Sequence, residues 1–236
     1  MTGRTIRNFF RSPHYFADIL LQMDFIGVGS LPIVVLTGFF TGAVLALQTS
    51  KTLSTFGETS LTGQVVALSL VRELGPVLTS LMVAGRNSSG IASELGSMTV
   101  SEQIDAMRAL GTDPNKKLVV PRLIATVFML PLLTIISDFV GLVGGFAVSF
   151  FIVHLNPSQY WSNAYNSLDY KDLYQGLSKP FVFAFIVALV GCYYGLQTRG
   201  GTQGVGRATT QAVVTASVLI LTCDFLMTKL MMALGG

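Results

Sequence analysis

The residues best equipped for chemistry are charges embedded in apolar sequence. Leu70-Val71-Arg72-Glu73-Leu74-Gly75-Pro76 sets a guanidinium beside a carboxylate, just before a proline. A helical proline removes one backbone donor and crowds the carbonyl four residues back, here that of Arg72, so Gly75-Pro76 predicts a kink beside the charged pair. Charge at membrane depth is costly and is kept mainly where it faces protein or a wet cavity. Arg72 or Glu73 therefore either lines a substrate path, meeting a polar headgroup, or belongs to a structural ion pair. Adjacent residues do not face each other on a helix, so such a pair needs partners elsewhere. Asp138 and Asp224 are isolated acids in apolar stretches, and Lys179 stands just before another such stretch. Asp224 could approach Lys179 or Arg72 in a folded bundle. Asp138 reads better as a protonated or hydrogen-bonded packing element, and Lys179 also suits a headgroup anchor.

A second group runs from Thr99 to Pro114 and contains Ser101, Glu102, Ile104, Asp105, Met107 and Arg108. Thr99 and Glu102 have capping-box spacing, Gly111 suits the position after a helix end, and Pro114 prevents continuation. The spacing predicts a short cytoplasmic helix over 100–110 with Val100, Ile104 and Met107 on one face. A soluble partner that pushes on a membrane domain needs such a lever, although an apolar stripe also serves to pack a helix on its own domain.

The elements that must position these groups follow from where charge is missing. Among 236 residues, 51% are hydrophobic and 11% charged, against roughly 25% charged in soluble domains. Residues 25–50, 123–137, 139–168, 180–198 and 208–223 contain no Asp, Glu, Lys or Arg. About 20 apolar residues cross the hydrocarbon core, so the expected fold is all-α, a polytopic membrane bundle of five spans over 26–47, 61–98, 123–153, 180–197 and 208–230. Residues 1–24 place apolar side chains at helical spacing beside Arg4, Arg7 and Arg11, which predicts an amphipathic interfacial helix and not a cleaved signal. Tyr160, Trp161, Tyr165, Tyr170 and Tyr174 crowd the connection after the third span, a composition suited to the membrane interface.

With the N-terminus cytoplasmic, inner segments carry nine basic residues, namely Arg4, Arg7, Arg11, Arg108, Lys116, Lys117, Arg122, Arg199 and Arg207, and outer segments carry four, Lys51, Lys171, Lys179 and Lys229. The positive-inside rule then puts the C-terminus outside. Small-xxx-small pairs at Gly38/Gly42, Gly141/Gly145 and Gly191/Gly195 predict close helix packing without naming a partner. A net charge of +3 with scattered carriers argues against nucleic acid. Cys192 and Cys223 lie in apolar segments and suggest neither a disulfide nor a metal site. The sequence has no G-x-x-x-x-G-K-[ST], and Gly200 to Arg207 lacks its Lys-Ser/Thr ending, so this chain does not read as an ATPase. Transport and scaffolding classes remain: a proton-coupled carrier using Glu73, Asp138 or Asp224, or a non-transporting membrane scaffold.

The run RELGPVLTSLMVAGRNSSGIASELGSMTVSEQIDAMRALGTDP resembles the core of the MlaE permease family, membrane subunits of ABC transporters that move lipids with MCE-domain proteins. ALQTS, ETSLTGQVVALSL and GVGRATTQAVV…LTCDFLMTKLM extend the similarity over roughly residues 15–234. The resemblance implies one MlaE-type permease domain over 1–236, a homodimer in the bacterial inner membrane. Two cytoplasmic ATPase subunits that bind ATP-Mg would flank it, an MCE-domain partner would dock at its outer end, and this chain itself would hold no cofactor. It implies that Arg72 and Glu73 face a phospholipid cavity, with Leu53 and Phe56 on its outer wall and Lys179 and Asp224 near the path. Residues Ser101 to Leu110 would then be the coupling helix.

Overall fold

Apolar runs with helical periodicity must satisfy their backbone polar groups internally, and the described residues do so with helices. The computed structural model describes residues 16–235, and these contain no strand. Helix α1 spans Phe16–Ser54, α2 Thr59–Val100, α3 Gln103–Ala109, α4 Asn115–Phe151, α5 Pro157–Asn166, α6 Tyr170–Leu196 and α7 Gly201–Gly235. Five of them, α1, α2, α4, α6 and α7, are long and apolar enough to cross a membrane.

Several boundaries differ from those expected. The interfacial helix over 1–24 falls largely outside the described residues, as do Arg4, Arg7 and Arg11. From Phe16 onward there is no separate element, because Asp24-Phe25-Ile26 holds no helix breaker and α1 runs on unbroken to Ser54. Helix α6 starts ten residues before Pro180, which lies inside it. Its start is set by Asp169 and Asp172: the Asp169 backbone N–H donates to Asp172 Oδ2 at 3.0 Å, the returning half of a capping box. Helix α7 begins at Gly201, seven residues before 208, since the glycine-rich stretch is itself helical after positive φ at Gly200 and Gly201.

Two wide π-helical turns carry the signature of proline. Leu70–Leu74 in α2 and Asn115–Val119 in α4 each end two residues before one, Pro76 and Pro121. Proline cannot donate, and the donor just before it reaches back five residues instead of four: Gly75 N–H to the Leu70 carbonyl, Val120 N–H to that of Asn115. A third wide turn, Ala84–Ser88, has no proline nearby.

Contacts group the chain into two units. The first contains Ser80–Leu130, Phe181–Leu226 and the described residues up to Ser30. Its core joins Ile91 and Leu95 of α2, Ile104 of α3, Leu118 and Val119 of α4, and Cys192 of α6, with Met98, Met107 and Leu196 alongside. Gly191 and Gly195 let α6 approach the α2 backbone near Ser88 and Ala92. Ser88 Oγ donates to the Val187 carbonyl at 3.0 Å and Thr99 Oγ1 to that of Gly195 at 3.3 Å, reinforcing the same seam.

The second unit contains Leu31–Thr79, Pro131–Pro180 and the chain from Met227. Here the remaining glycine pairs find their partners in each other. Gly42 abuts the Gly141 backbone, Gly38 abuts Ser137, and Gly144 abuts the Phe39 backbone, so α1 and α4 meet with almost no side chain between them. Helix α5 is capped by Asn156, whose side chain accepts from Ser158 N–H at 3.0 Å, and it packs against the start of α2. Asn163 Nδ2 donates to the Ser60 carbonyl at 2.7 Å. The buried Tyr160 hydroxyl donates to the Leu142 carbonyl at 3.1 Å, and burial pushes its pKa up, keeping it a donor.

Candidate substrate groove and partner-facing helix

Asp172, Gly176 and Lys179 recur at i, i+4 and i+7 and share one face of α6. That face meets α2 at its first wide turn. Gly176 has no side chain, and the Val71 carbonyl occupies the space one would need. On one side of this contact Arg72 Nε and Nη2 donate to Asp172 Oδ1 at 2.7 and 2.6 Å. On the other, Lys179 pairs with Glu73 Oε2. Lys179 Nζ also donates to Thr228 Oγ1 at 2.8 Å and to the Arg72 carbonyl at 3.1 Å, and Thr228 Oγ1 donates to Glu73 Oε1 at 3.1 Å. The Arg72 carbonyl lies in the wide turn, four residues before Pro76, which has no N–H to offer it.

The two pairs are built alike. Each has a withdrawn member on α6, Lys179 at 0% and Asp172 at 5% side-chain exposure, and an open member on α2, Glu73 at 37% and Arg72 at 45%. A cation and an anion thus lie open next to each other, each held in place by a buried counter-charge. Arg72 and Glu73 are thus both ion-paired and still accessible. Leu74, the next residue along α2, helps line an apolar groove of about 400 Å³ with Phe40, Thr41, Val44, Leu45 and Gln48 of α1.

Leu53 and Phe56 are not among the residues lining that groove. Leu53 is half-buried at the end of α1, and Phe56 is 77% exposed in the turn that Gly57 closes at φ +75°. Asp138 stands against the backbone of Gly75, where a side chain would collide with its carboxyl, and its Oδ1 is buried without a hydrogen-bond partner among the described residues. Asp224 lies half-buried on α7, in the first unit.

Helix α3 is shorter than the 100–110 predicted and starts differently. Helix α2 runs on to Val100, and the Thr99 hydroxyl bonds back to the Leu95 carbonyl at 2.8 Å, so the Thr99/Glu102 capping box does not form. The chain turns instead at Glu102, a non-glycine residue at φ +60°. At the other end Gly111, at φ +75°, closes a Schellman motif: Thr112 N–H donates to the Met107 carbonyl and Gly111 N–H to that of Arg108, both at 3.0 Å. Ile104 is 4% exposed and Met107 packs beside it. These two residues hold the helix to its own unit, Ile104 withdrawn from the surface and Met107 partly so. Val100, at 38% exposure, does not share their face. Ser101, Glu102, Asp105, Arg108 and Leu110 are exposed, with Asp105 and Arg108 paired at 2.7 Å.

Sequence reading missed several partners. Asp172 was visible as the second acid of the Asp169-x-x-Asp172 spacing, whereas nothing local marks Thr228. Arg86 donates to the Phe25 carbonyl at 2.9 Å and to Ser30 Oγ at 3.1 Å, and its guanidinium lies 4.9 Å from the Phe25 ring centroid, tying α2 to α1. Arg122, counted above among the loop charges, is buried and pairs with Glu94 at 2.8 Å.

Relatives fix the class first. The chain is 47% identical over 225 residues to a probable ABC transporter permease protein of Rickettsia bellii, covering 95% of this chain and 87% of that one. It is 40% identical over 231 residues to a probable ABC transporter permease protein of Synechocystis, covering 98% and 88%. It is also 36% identical over 222 residues to the intermembrane phospholipid transport system permease protein MlaE of Haemophilus influenzae, covering 94% and 85%. The Permease MlaE family model matches residues 19–230, and the chain belongs to that family of ABC transporter permeases.

Proposed function

We propose that this chain is the permease subunit of a transporter that moves phospholipids between the bacterial inner membrane and an MCE-domain partner, driven by ATP hydrolysis on a separate cytoplasmic ABC ATPase. The observation that carries the reading is an apolar groove lined by Leu74, the residue that follows the open and oppositely charged Arg72 and Glu73. A phospholipid has a charged head and apolar tails, and this arrangement offers a place for each. Arg72 is the natural partner of the headgroup phosphate, while Phe40, Val44 and Leu74 receive an acyl chain. The Haemophilus relative, named for intermembrane phospholipid transport, supports the same substrate class. Two copies form the working unit, with α3 on the cytoplasmic side presenting Glu102, Asp105 and Arg108 to the ATPase. ATP-Mg belongs to that partner, and this chain contributes no cofactor of its own.

Val44→Trp fills the groove at a half-exposed position without touching the ion pairs. In complex with its ATPase in proteoliposomes, this variant should assemble normally, co-purify with less phospholipid by mass spectrometry and transfer lipid at least tenfold more slowly. Normal transfer by the filled groove overturns the reading, as does transport that needs a pH gradient and no ATP.

A further inference from the structure

We infer that Glu94 and Arg122 form a strut that makes α3 move as one body with the ends of α2 and α4, which makes them positioning residues for ATP-driven transport. The inference rests on the ATP-coupled reading above and concerns residues outside the groove. Helix α3 hangs between two helix ends, Val100 of α2 and Asn115 of α4. A lever on two flexible hinges would absorb an applied force, so something must hold those ends together. Ile104 does part of this by entering the cluster of Ile91, Leu95, Leu118, Val119 and Cys192. An apolar cluster resists separation, but its side chains can slide past one another. The guanidinium of Arg122 supplies direction. Its Nη2 meets Glu94 Oε2 at 2.8 Å and its Nη1 donates to the Leu118 carbonyl at 2.7 Å, so one side chain grips α2 and the first turns of α4. Both grips adjoin the cluster: Glu94 precedes Leu95, and Leu118 belongs to it.

The burial is asymmetric in a way that fits a fixed anchor. Arg122 is 4% exposed, whereas Glu94 is 55% exposed. Helix α4 carries the withdrawn charge, and α2 reaches it with a carboxylate from the surface. If Glu94 lets go, a buried cation is left with only the carbonyl of its own helix, and Arg122 Nε already lacks a hydrogen-bond partner among the described residues. Such a cation draws in water or pulls away, and either loosens the cluster beneath Ile104.

The test uses the assembled complex with its ATPase. Glu94→Gln and Arg122→Lys should assemble and keep basal ATP hydrolysis within about twofold. Lipid moved per ATP hydrolysed should fall at least fivefold in Glu94→Gln and less in Arg122→Lys, which retains the charge. Amide exchange of residues 103–109 should accelerate at least tenfold in Glu94→Gln. The paired apolar variant Glu94→Leu with Arg122→Met should recover thermal stability without recovering lipid moved per ATP. Recovery of both means the pair only fills space and overturns the inference, as does unchanged amide exchange in Glu94→Gln. A wild-type complex that hydrolyses ATP and moves no lipid defeats the transport reading alone, and amide exchange still decides the strut.

Discussion

At position 179 an ammonium group is withdrawn completely from solvent, and its three donors face the Glu73 carboxylate, the Thr228 hydroxyl and the Arg72 carbonyl. The two ends of the Glu73–Lys179 pair are therefore unequal. Removing Glu73 takes a carboxylate partner from a fully buried cation, and breaking a buried pair in this way typically costs roughly 3–5 kcal/mol. Removing Lys179 leaves a carboxylate at 37% exposure that water can still reach. Glu73→Ala should accordingly lower the melting temperature of the purified permease well below that of Lys179→Met, and an equal or inverted order would refute the asymmetry. To test transfer apart from stability, Arg72→Ala suffices at 45% exposure, whereas Glu73 calls for the shape-preserving Glu73→Gln.

At the scale of the element, the wide turn over Leu70–Leu74 decides which way Arg72 and Glu73 point. A helix advances about 100° per residue, so the extra residue of a π turn rotates everything on one side of it relative to the other by about that much. Pro76→Ala restores the missing N–H, allows an ordinary α turn, and frees the Arg72 carbonyl from its need for Lys179. The folded complex should survive, because the core of Ala46, Val66 and Leu70 is untouched. ATP-dependent lipid transfer should drop by an order of magnitude as the charges lose register with Asp172 and Lys179, and wild-type transfer rates would show that the wide turn is dispensable. The glycine seam of α1 and α4 behaves oppositely. Gly42→Leu drives a side chain into the Gly141 backbone, and overpacking of this kind costs roughly 1–3 kcal/mol or more. It should appear as loss of folded, monodisperse protein in detergent.

At the scale of the whole molecule, the proposed topology, argued from five crossings and the distribution of basic residues, has the N-terminus and α3 on the cytoplasmic side. With Cys192 and Cys223 replaced by alanine, a membrane-impermeant maleimide added to intact cells should label Ser158→Cys on α5 and leave Arg108→Cys on α3 unmodified; the reverse pattern would invert the topology. Much of this level was legible in the sequence. Charge-free runs gave four of the five spans because hydrocarbon admits few alternatives to a helix, while the second span carries Arg72, Glu73, Arg86 and Glu94. Gly111 with Pro114 marked the end of α3 because termination is a local backbone matter. The starts were read less well. Asp169 and Asp172 open α6 ten residues early, and Glu102 replaces the expected Thr99 cap, since a helix start depends on which of several competing caps the surrounding packing leaves free. The candidate site divides in the same way. Arg72, Glu73 and Lys179 stood out because charge is conspicuous in apolar sequence. Their pairing with Asp172 and Thr228, the burial of Ile104 and Met107, and the grip of Arg122 on Glu94 join residues 28 to 155 positions apart or set one helix face against another. The sequence alone determined that the chain crosses the membrane as helices and where charge interrupts them, since transfer into hydrocarbon acts on each residue separately. Only the tertiary structure decided which charges meet, because that depends on close approach between helices, and close approach is a property of pairs.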